Sequence, residues 1–173
     1  MAIYRLGDKV PDIHPTAYVH PDAVVIGDVT IGEESTVWPH AVIRGDDGYV
    51  RVGARTSIQD NCVLHTTAEI PTVVGDDCVI GHLVHLEGCT IENGALVGSN
   101  STVLHAAVVK TGALVGANAL VPGGMTVPER AMALGVPAKI REDAVDPEVL
   151  ITPGKESYVA RGRWFREELH RID

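Results

Sequence analysis

A period of six residues runs through most of the 173-residue chain. Branched apolar residues recur at every sixth position in three ladders: Ile13, Val19, Val25, Ile31, Val37 and Ile43, then Val52, Ile58 and Leu64, then Ile91, Val97, Val103, Val109, Val115, Val121 and Val127. If each hexad forms one short strand and one corner, three hexads close a triangular coil with the branched side chains stacked inside. The period therefore predicts an all-β fold, a parallel β-helix.

Glycine and small residues recur at fixed places between the branched positions. Glycine follows directly in Ile31-Gly32 and Val97-Gly98, where a tight corner favours a residue without a side chain. A sandwich of short strands is the alternative, but its period of two does not hold branched residues in step at six. The spacing resembles that of hexapeptide-repeat proteins, and this resemblance, rather than the period, implies left-handed winding.

The tail of the chain differs in character from the repeats. We predict a β-helix domain over residues 1–137, with a short lead-in at 1–12, and a C-terminal extension over 138–173. An amphipathic helix is predicted over 156–173, because four apolar residues share one helical face: Tyr158, Phe165, Leu169 and Ile172. This helix is expected to pack along the β-helix or across a subunit boundary.

Three irregularities interrupt the period. Breaks at about residues 46–51 and 66–72 predict loops that leave the coils. Between residues 73 and 90 the register is ambiguous by one residue, because Val73-Val74 and Val79-Ile80 each offer two candidates for the interior position. The direction of every side chain in that segment depends on which candidate is interior.

Charge and cysteine content limit the partners and the compartment. The formal net charge of −9 disfavours nucleic acid and anionic membranes as partners, since both bind through Lys and Arg. The first residues include Arg5 and Asp8 and form no long apolar segment, so we expect no signal peptide and no membrane span. An odd number of cysteines, Cys62, Cys78 and Cys89, then predicts reduced thiols in a cytoplasmic protein.

Several polar motifs interrupt the repeats in a fixed order: Arg44-Gly45-Asp46, Ser57-Ile58-Gln59-Asp60-Asn61, His65 and Gly81-His82. In this order they resemble the signature of the γ-class carbonic anhydrases, over about residues 10–140. The resemblance implies a homotrimer in which Arg44, Asp46 and Asp60 join neighbouring subunits.

The same resemblance implies a metal site and its catalytic residues. His65 and His82 match metal-binding histidines, and the third ligand of the family falls five residues after His82, at Glu87. Zn(II) is the expected metal, with Co(II) or Fe(II) as alternatives, because imidazole suits all three. Gln59 matches a residue that orients the metal-bound water, and Glu69 is a candidate for carrying the released proton to buffer.

The sequence departs from the family at the third ligand. The family carries histidine where Glu87 stands, and a histidine appears instead two residues earlier, at His85. Three interpretations remain open: Glu87 completes a set of two histidines and one carboxylate, the site is empty and the trimer is a binding module, or His85 replaces the lost ligand. His65 and His82 could also serve only as hydrogen-bonding groups at a subunit interface.

Three functions are consistent with these features. The first is the reversible hydration of carbon dioxide to bicarbonate by a metal-bound hydroxide, which is the reaction of a lyase. The second is a non-catalytic trimer that binds a small molecule, a metal chelate or a partner protein. The third is acyl transfer from coenzyme A with a histidine as base, as in many hexapeptide-repeat proteins. The Arg-Gly-Asp and Gln-Asp-Asn motifs favour the first two.

Overall fold

A computed structural model describes residues 2–173 as a left-handed parallel β-helix of hexapeptide repeats with a helix at the C-terminal end. The predicted fold class is therefore confirmed. Most strands are two or three residues long, as expected if each hexad supplies one strand and one corner. In chain order they are β1 (Ala2–Tyr4), β2 (Asp12–Ile13), β3 (Tyr18–Val19), β4 (Val24–Ile31), β5 (Thr36–Val37), β6 (Val42–Val52), β7 (Ser57–Ile58), β8 (Val63–His65), β9 (Thr72–Val74), β10 (Val79–Ile80), β11 (His85–Glu87), β12 (Thr90–Ile91), β13 (Leu96–Val97), β14 (Thr102–Val103), β15 (Val108–Val109), β16 (Leu114–Val115), β17 (Leu120–Val121), β18 (Thr126–Val127), β19 (Met132–Leu134) and β20 (Lys139–Arg141).

The coils have three faces, and strands on one face pair in parallel with those one coil away, except that β20 turns back and pairs antiparallel with β19. Leu96 pairs with Leu114, eighteen residues along, as three hexads require. The first face holds β1, the first halves of β4 and β6, β8, β11, β14 and β17. The second face holds β2, the second halves of β4 and β6, β9, β12, β15 and β18. The third face holds β3, β5, β7, β10, β13, β16, β19 and β20.

The branched residues of the ladders form the interior of the coils. Val97, Val109 and Val115 are each fully buried, which confirms the six-residue register. Each stacks on its counterpart in the next coil, as Val97 does on Val115. Burial of such side chains is the main favourable term in the folding of a β-helix of this kind.

The ambiguous register between residues 73 and 90 is resolved by three interior residues, Val74, Ile80 and Leu86. The next interior residue, Ile91, follows after five residues instead of six, and the shortened hexad turns at Gly88 with a φ of 60°. Because neighbours in a strand point to opposite sides, the residues that flank Leu86 in β11 point outward from the first face.

The two predicted loops have different outcomes. Residues 66–71 lie outside the strands, as predicted. The prediction for residues 46–51 is wrong, because β6 continues through them. Gly27 pairs with Gly45 and Val29 with Val50, so β6 holds three more residues than β4 over this stretch and absorbs them as a bulge.

Two helices follow the last coil: α1 (Pro147–Leu150) and α2 (Thr152–Glu168). The second begins four residues before its predicted start at residue 156. Pro153 lies in the first turn of α2, where proline is favoured because its missing N–H would have no helical partner there. Among the residues that the structure describes, no helix has both the length and the apolar character needed to cross a membrane.

The second helix packs on the third face through aromatic side chains. Trp38, after β5, meets the rings of Tyr158 and Phe165 at centroid distances of 5.6 and 5.0 Å. Both were placed on the apolar face of the predicted helix. Ile172, which was placed on the same face, lies beyond the end of α2 and is 99% exposed.

Candidate functional site

One imidazole on the outer side of the first face is held by two carboxylates. His65 ends β8, and Glu87 is its register partner at the end of β11. The Nδ1 atom of His65 lies 3.1 Å from Oε1 of Glu87, and its Nε2 atom lies 3.0 Å from Oδ1 of Asp46 in β6. Because carboxylate oxygens only accept hydrogen bonds, both contacts are satisfied when both ring nitrogens carry protons.

Two further histidines meet the same glutamate. His85 shares β11 with Glu87, and its Nε2 atom lies 3.2 Å from Oε2 of Glu87. The Nε2 atom of His105, just after β14, is 3.8 Å from Oε1 of Glu87, within reach of an ion pair. We call these five residues, Asp46, His65, His85, Glu87 and His105, the histidine cluster.

Both carboxyl groups of the histidine cluster are held in the ionised form. Burial alone would raise the pKa of Glu87, but hydrogen bonds from His65 and His85 outweigh it and lower the pKa below its ordinary value. Burial likewise opposes ionisation of Asp46, and hydrogen bonds from backbone N–H groups, His65 and Arg44 lower its pKa. Both groups are therefore anionic acceptors at neutral pH.

A separate histidine–aspartate pair lies at the corner between the third and first faces. The Nδ1 atom of His82 is 2.9 Å from Oδ2 of Asp60, and both side chains are partly exposed. Gln59, the neighbour of Asp60, is 4% exposed. Since His65 and Glu87 lie at the far end of the first face, one chain does not bring His82 to them.

The predicted metal ligands do not fit a metal ion as one chain arranges them. Both ring nitrogens of His65 already meet carboxylates, and His82 lies at another corner. Over residues 2–173, no group of three His, Cys, Asp or Glu side chains is placed so that it could hold a metal ion. The predicted proton carrier, Glu69, is exposed in the 66–71 segment, and no hydrogen bond joins it to the histidine cluster in the described part of the chain.

The residues predicted to join subunits have partners within one chain. Arg44 donates a hydrogen bond to Oδ2 of Asp46, and Asp60 is paired with His82. Their role between subunits stays a prediction. The arginine also completes the set of groups around Asp46, so this motif has a second use in ordering the histidine cluster.

The three cysteines do not contribute a nucleophile or a ligand at neutral pH. Cys62, Cys78 and Cys89 are all buried in the coils and free of disulfides. Burial raises the pKa of each thiol to about 12, so the reactive thiolate form is scarce. The titratable chemistry of the first face therefore rests on imidazole and carboxylate.

Sequence reasoning missed two residues at this site. His105 received no role from the sequence, although it falls one residue beyond the position one coil after Glu87, since β11 and β14 pair with an offset of seventeen residues. The shortened hexad before Ile91 hides this relation from a strict count of eighteen. Lys9 was not considered; it donates to the backbone carbonyl oxygens of Asp46 and Asp47. No pattern in the sequence indicates that contact.

Comparison with known proteins then identifies the family. The family model described as bacterial transferase hexapeptide (six repeats) matches residues 11–45 and 71–105. The carnitine operon protein CaiE of Escherichia coli K12 is 39% identical over 149 residues, which is 86% of this chain and 76% of the relative. The chain belongs to the hexapeptide-repeat transferase family.

Two solved structures of similar proteins support this assignment along nearly the whole chain. A presumed acetyltransferase from Bacillus cereus is 34% identical, covers 97% of this chain and 98% of its own, and superposes with a TM-score of 0.92. A hexapeptide transferase family protein from Anaplasma phagocytophilum is also 34% identical, covers 95% of this chain and 98% of its own, and gives a TM-score of 0.90.

These relatives overturn the carbonic anhydrase interpretation. Carbon dioxide hydration, the lyase class and the classification as a zinc-binding metalloprotein are wrong for a member of a transferase family. Carbon dioxide and bicarbonate lose their support as substrates for the same reason. The physical reason lies in the motifs: Arg44, Asp46 and His65 form a hydrogen-bonded network inside one chain, so their presence does not require a metal. The individual roles given to Gln59 and Glu69 stay predictions.

Proposed function

We propose that this protein is an acyltransferase that moves an acyl group from a coenzyme A thioester to an amine or hydroxyl acceptor. One observation carries the proposal: His85 is oriented by an ionised carboxylate through one ring nitrogen while the other nitrogen is free. A general base needs this arrangement, because the orienting partner fixes the tautomer and the free nitrogen takes the proton.

His85 meets this condition better than its neighbours. Its Nε2 atom is hydrogen-bonded to Glu87, its Nδ1 atom has no hydrogen-bond partner among residues 2–173, and its side chain is 37% exposed. Both ring nitrogens of His65 already face carboxylate oxygens, so neither is open toward an acceptor. His82, paired with Asp60, is the second candidate, because its Nε2 atom is also without a hydrogen-bond partner in the described chain.

The proposed reaction requires only proton transfer from the protein. The acceptor nitrogen or oxygen attacks the thioester carbonyl carbon while His85 removes the acceptor proton. The carbon–sulfur bond then breaks, and the departing thiolate of coenzyme A takes up the proton that His85 carries. Glu87 stabilises the imidazolium form of His85 between these two steps.

A homotrimer is part of the same proposal. On the outer side of the first face, Val42 lies beside Val63, which is 39% exposed. Apolar residues in adjacent rows suit contact with a second subunit. Arg44, Asp46 and Asp60 are proposed to lie at that contact, and light scattering on the purified protein measures the subunit number.

A thiol-release assay with acetyl coenzyme A tests the function. The acceptor panel contains primary amines, hydroxyl compounds and carnitine, which the name of the CaiE relative suggests. Loss of a general base is expected to lower kcat by about 10²- to 10⁴-fold, so His85→Ala should fall in that range. His14→Ala, an exposed histidine remote from the cluster, is the matched control and should keep the wild-type rate. Full activity in His85→Ala would exclude His85 as base, and loss in His82→Ala alone would assign His82 instead.

A further inference from the structure

We propose that Lys9 is a positioning residue of the histidine cluster, because its ammonium group fixes the bulge of β6 that carries Asp46. Through Asp46 it orients His65 and, through Glu87, the candidate base His85. The catalytic consequence rests on the proposed acyltransferase function. The ordering of the bulge by Lys9 does not depend on that function, and a separate measurement tests it.

The backbone of the bulge has a partner outside β4. β6 holds three more residues than β4 between the pairs Gly27–Gly45 and Val29–Val50, so these residues have no register partner in β4. Lys9 supplies two hydrogen bonds: its Nζ atom donates to the carbonyl oxygen of Asp46 at a partly buried contact, where an unpaired carbonyl group is costly, and to the carbonyl oxygen of Asp47 at 3.0 Å at an exposed one.

The lead-in holds Lys9 in place for this contact. β1 pairs with β4 from Ala2 to Tyr4, and the chain then turns back at Gly7 with a φ of 61°. Two backbone hydrogen bonds close that turn, each 3.0 Å long, from Leu6 N–H to Lys9 C=O and from Lys9 N–H to Leu6 C=O. The Lys9 backbone is therefore held by the turn that follows β1, and its half-buried side chain reaches the bulge over 37 residues of sequence separation.

A continuous set of contacts links the bulge to the candidate base. Oδ1 of Asp46 accepts from the backbone N–H of Asp47 at 3.1 Å and faces Nε2 of His65 at 3.0 Å. His65 and His85 then share Glu87, at 3.1 and 3.2 Å. If the bulge moves, His65 loses one of its two orienting carboxylates, and the position of Glu87 against His85 changes. A misplacement of about 1 Å can cost about 10²-fold in rate.

The experiment uses Lys9→Met, which keeps the length of the side chain and removes its ammonium group. Lys139→Met, at an exposed lysine of β20, is the matched control. Hydrogen exchange of the amides in residues 46–49, measured by mass spectrometry, should become faster in Lys9→Met and stay unchanged in Lys139→Met. The kcat for acyl transfer should fall by about tenfold or more, with KM for acetyl coenzyme A unchanged, because geometry and not binding is disturbed.

A rescue experiment separates positioning from a general loss of stability. Lys9→Cys treated with bromoethylamine carries an aminoethyl group that restores the ammonium at nearly the length of lysine. The three native cysteines are buried and their thiol pKa values are raised to about 12, so the new cysteine reacts selectively. Modification should restore slow exchange in residues 46–49 and return kcat toward wild type.

Each outcome decides a stated part of the proposal. Unchanged exchange in residues 46–49 of Lys9→Met overturns it, whatever the activity. Faster exchange with unchanged kcat also overturns it, because the contact of Lys9 with the bulge would then not position the histidine cluster. If the wild-type protein transfers no acyl group to any acceptor, the proposed function fails, and the exchange and rescue results alone decide for or against fixation of the bulge by Lys9.

Discussion

Truncation of Leu86 tests the register on which the whole site depends. Leu86 is fully buried between Leu64 and Val103 of the adjacent coils. Leu86→Ala removes this buried side chain and leaves a cavity, which costs about 2–5 kcal/mol in comparable cores. Leu83, three residues earlier, is 56% exposed, and Leu83→Ala is the matched control with an expected change within about 0.5 kcal/mol.

Urea unfolding and thermal unfolding, both followed by circular dichroism, measure the free energy of unfolding and the melting temperature of the two variants. All samples need the same protein concentration, because the proposed trimer makes apparent stability depend on it. For a chain of this size, about 2–4 °C of melting temperature corresponds to 1 kcal/mol, so Leu86→Ala should melt lower by about 4–20 °C. If Leu83→Ala costs as much as Leu86→Ala, the register is wrong, and His85 and Glu87 would not both point outward.

Two further predictions concern close contact and charge. A Cβ atom on Gly27 would lie 2.2 Å from the carbonyl oxygen of Gly45, whereas at Gly94, also in the left-handed region, it would meet nothing within 4 Å. Gly27→Ala should therefore lose clearly more stability in urea than Gly94→Ala, whose backbone strain costs about 1–2 kcal/mol; equal losses would contradict the close approach. Arg55 donates a bidentate hydrogen bond to Asp77, at 2.8 and 2.7 Å, which outweighs burial and lowers the pKa of Asp77 below its ordinary value of 3.8. The ion pair therefore stabilises the fold at pH values above 3.8, and this stabilisation is lost as the pH falls through the lower pKa of the folded state. Asp77→Asn should cost about 0.2–1 kcal/mol at neutral pH, and urea titrations should show the difference vanish in acid; a difference that persists there would contradict the electrostatic origin.

The interior of the fold was predictable because one coil imposes one side-chain type on the same position of the next. Val97, Val109 and Val115 could be placed inward from their spacing alone, and they are. The left-handed winding of the β-helix could not be predicted from the spacing, because a period of six residues is the same for either hand.

Irregular segments were harder to predict for a physical reason. Loss of the period at residues 46–51 shows that residues have been inserted, but it does not show whether the chain leaves the sheet. Here β4 runs alongside, and the extra residues remain in β6 as a bulge. The start of α2 was placed four residues too late because the apolar face that predicts the helix begins only at Tyr158, while its first turn is marked by Pro153, a residue well accommodated there.

The sequence indicated which residues belong to the histidine cluster better than it indicated their chemical roles. His65, His82 and Glu87 were named together as metal ligands; within one chain His65 and Glu87 are register partners and His82 lies elsewhere, and the ligand roles stay a prediction. Their assigned chemistry came from a resemblance in motifs, and those motifs also serve a hydrogen-bonded network of one chain. The contact of Lys9 with the bulge arises from a fold of the lead-in that no local pattern indicates.

The most direct test of the account is the fate of an isotope-labelled acetyl group supplied as acetyl coenzyme A. The purified wild-type protein is incubated with the labelled thioester and the acceptor panel, and the products are analysed by mass spectrometry beside His85→Ala and His14→Ala. The account predicts label in an amine or hydroxyl acceptor with wild type and His14→Ala, and a loss of about 10²-fold or more with His85→Ala. Label that remains on coenzyme A with every acceptor, or equal transfer by His85→Ala, would contradict it.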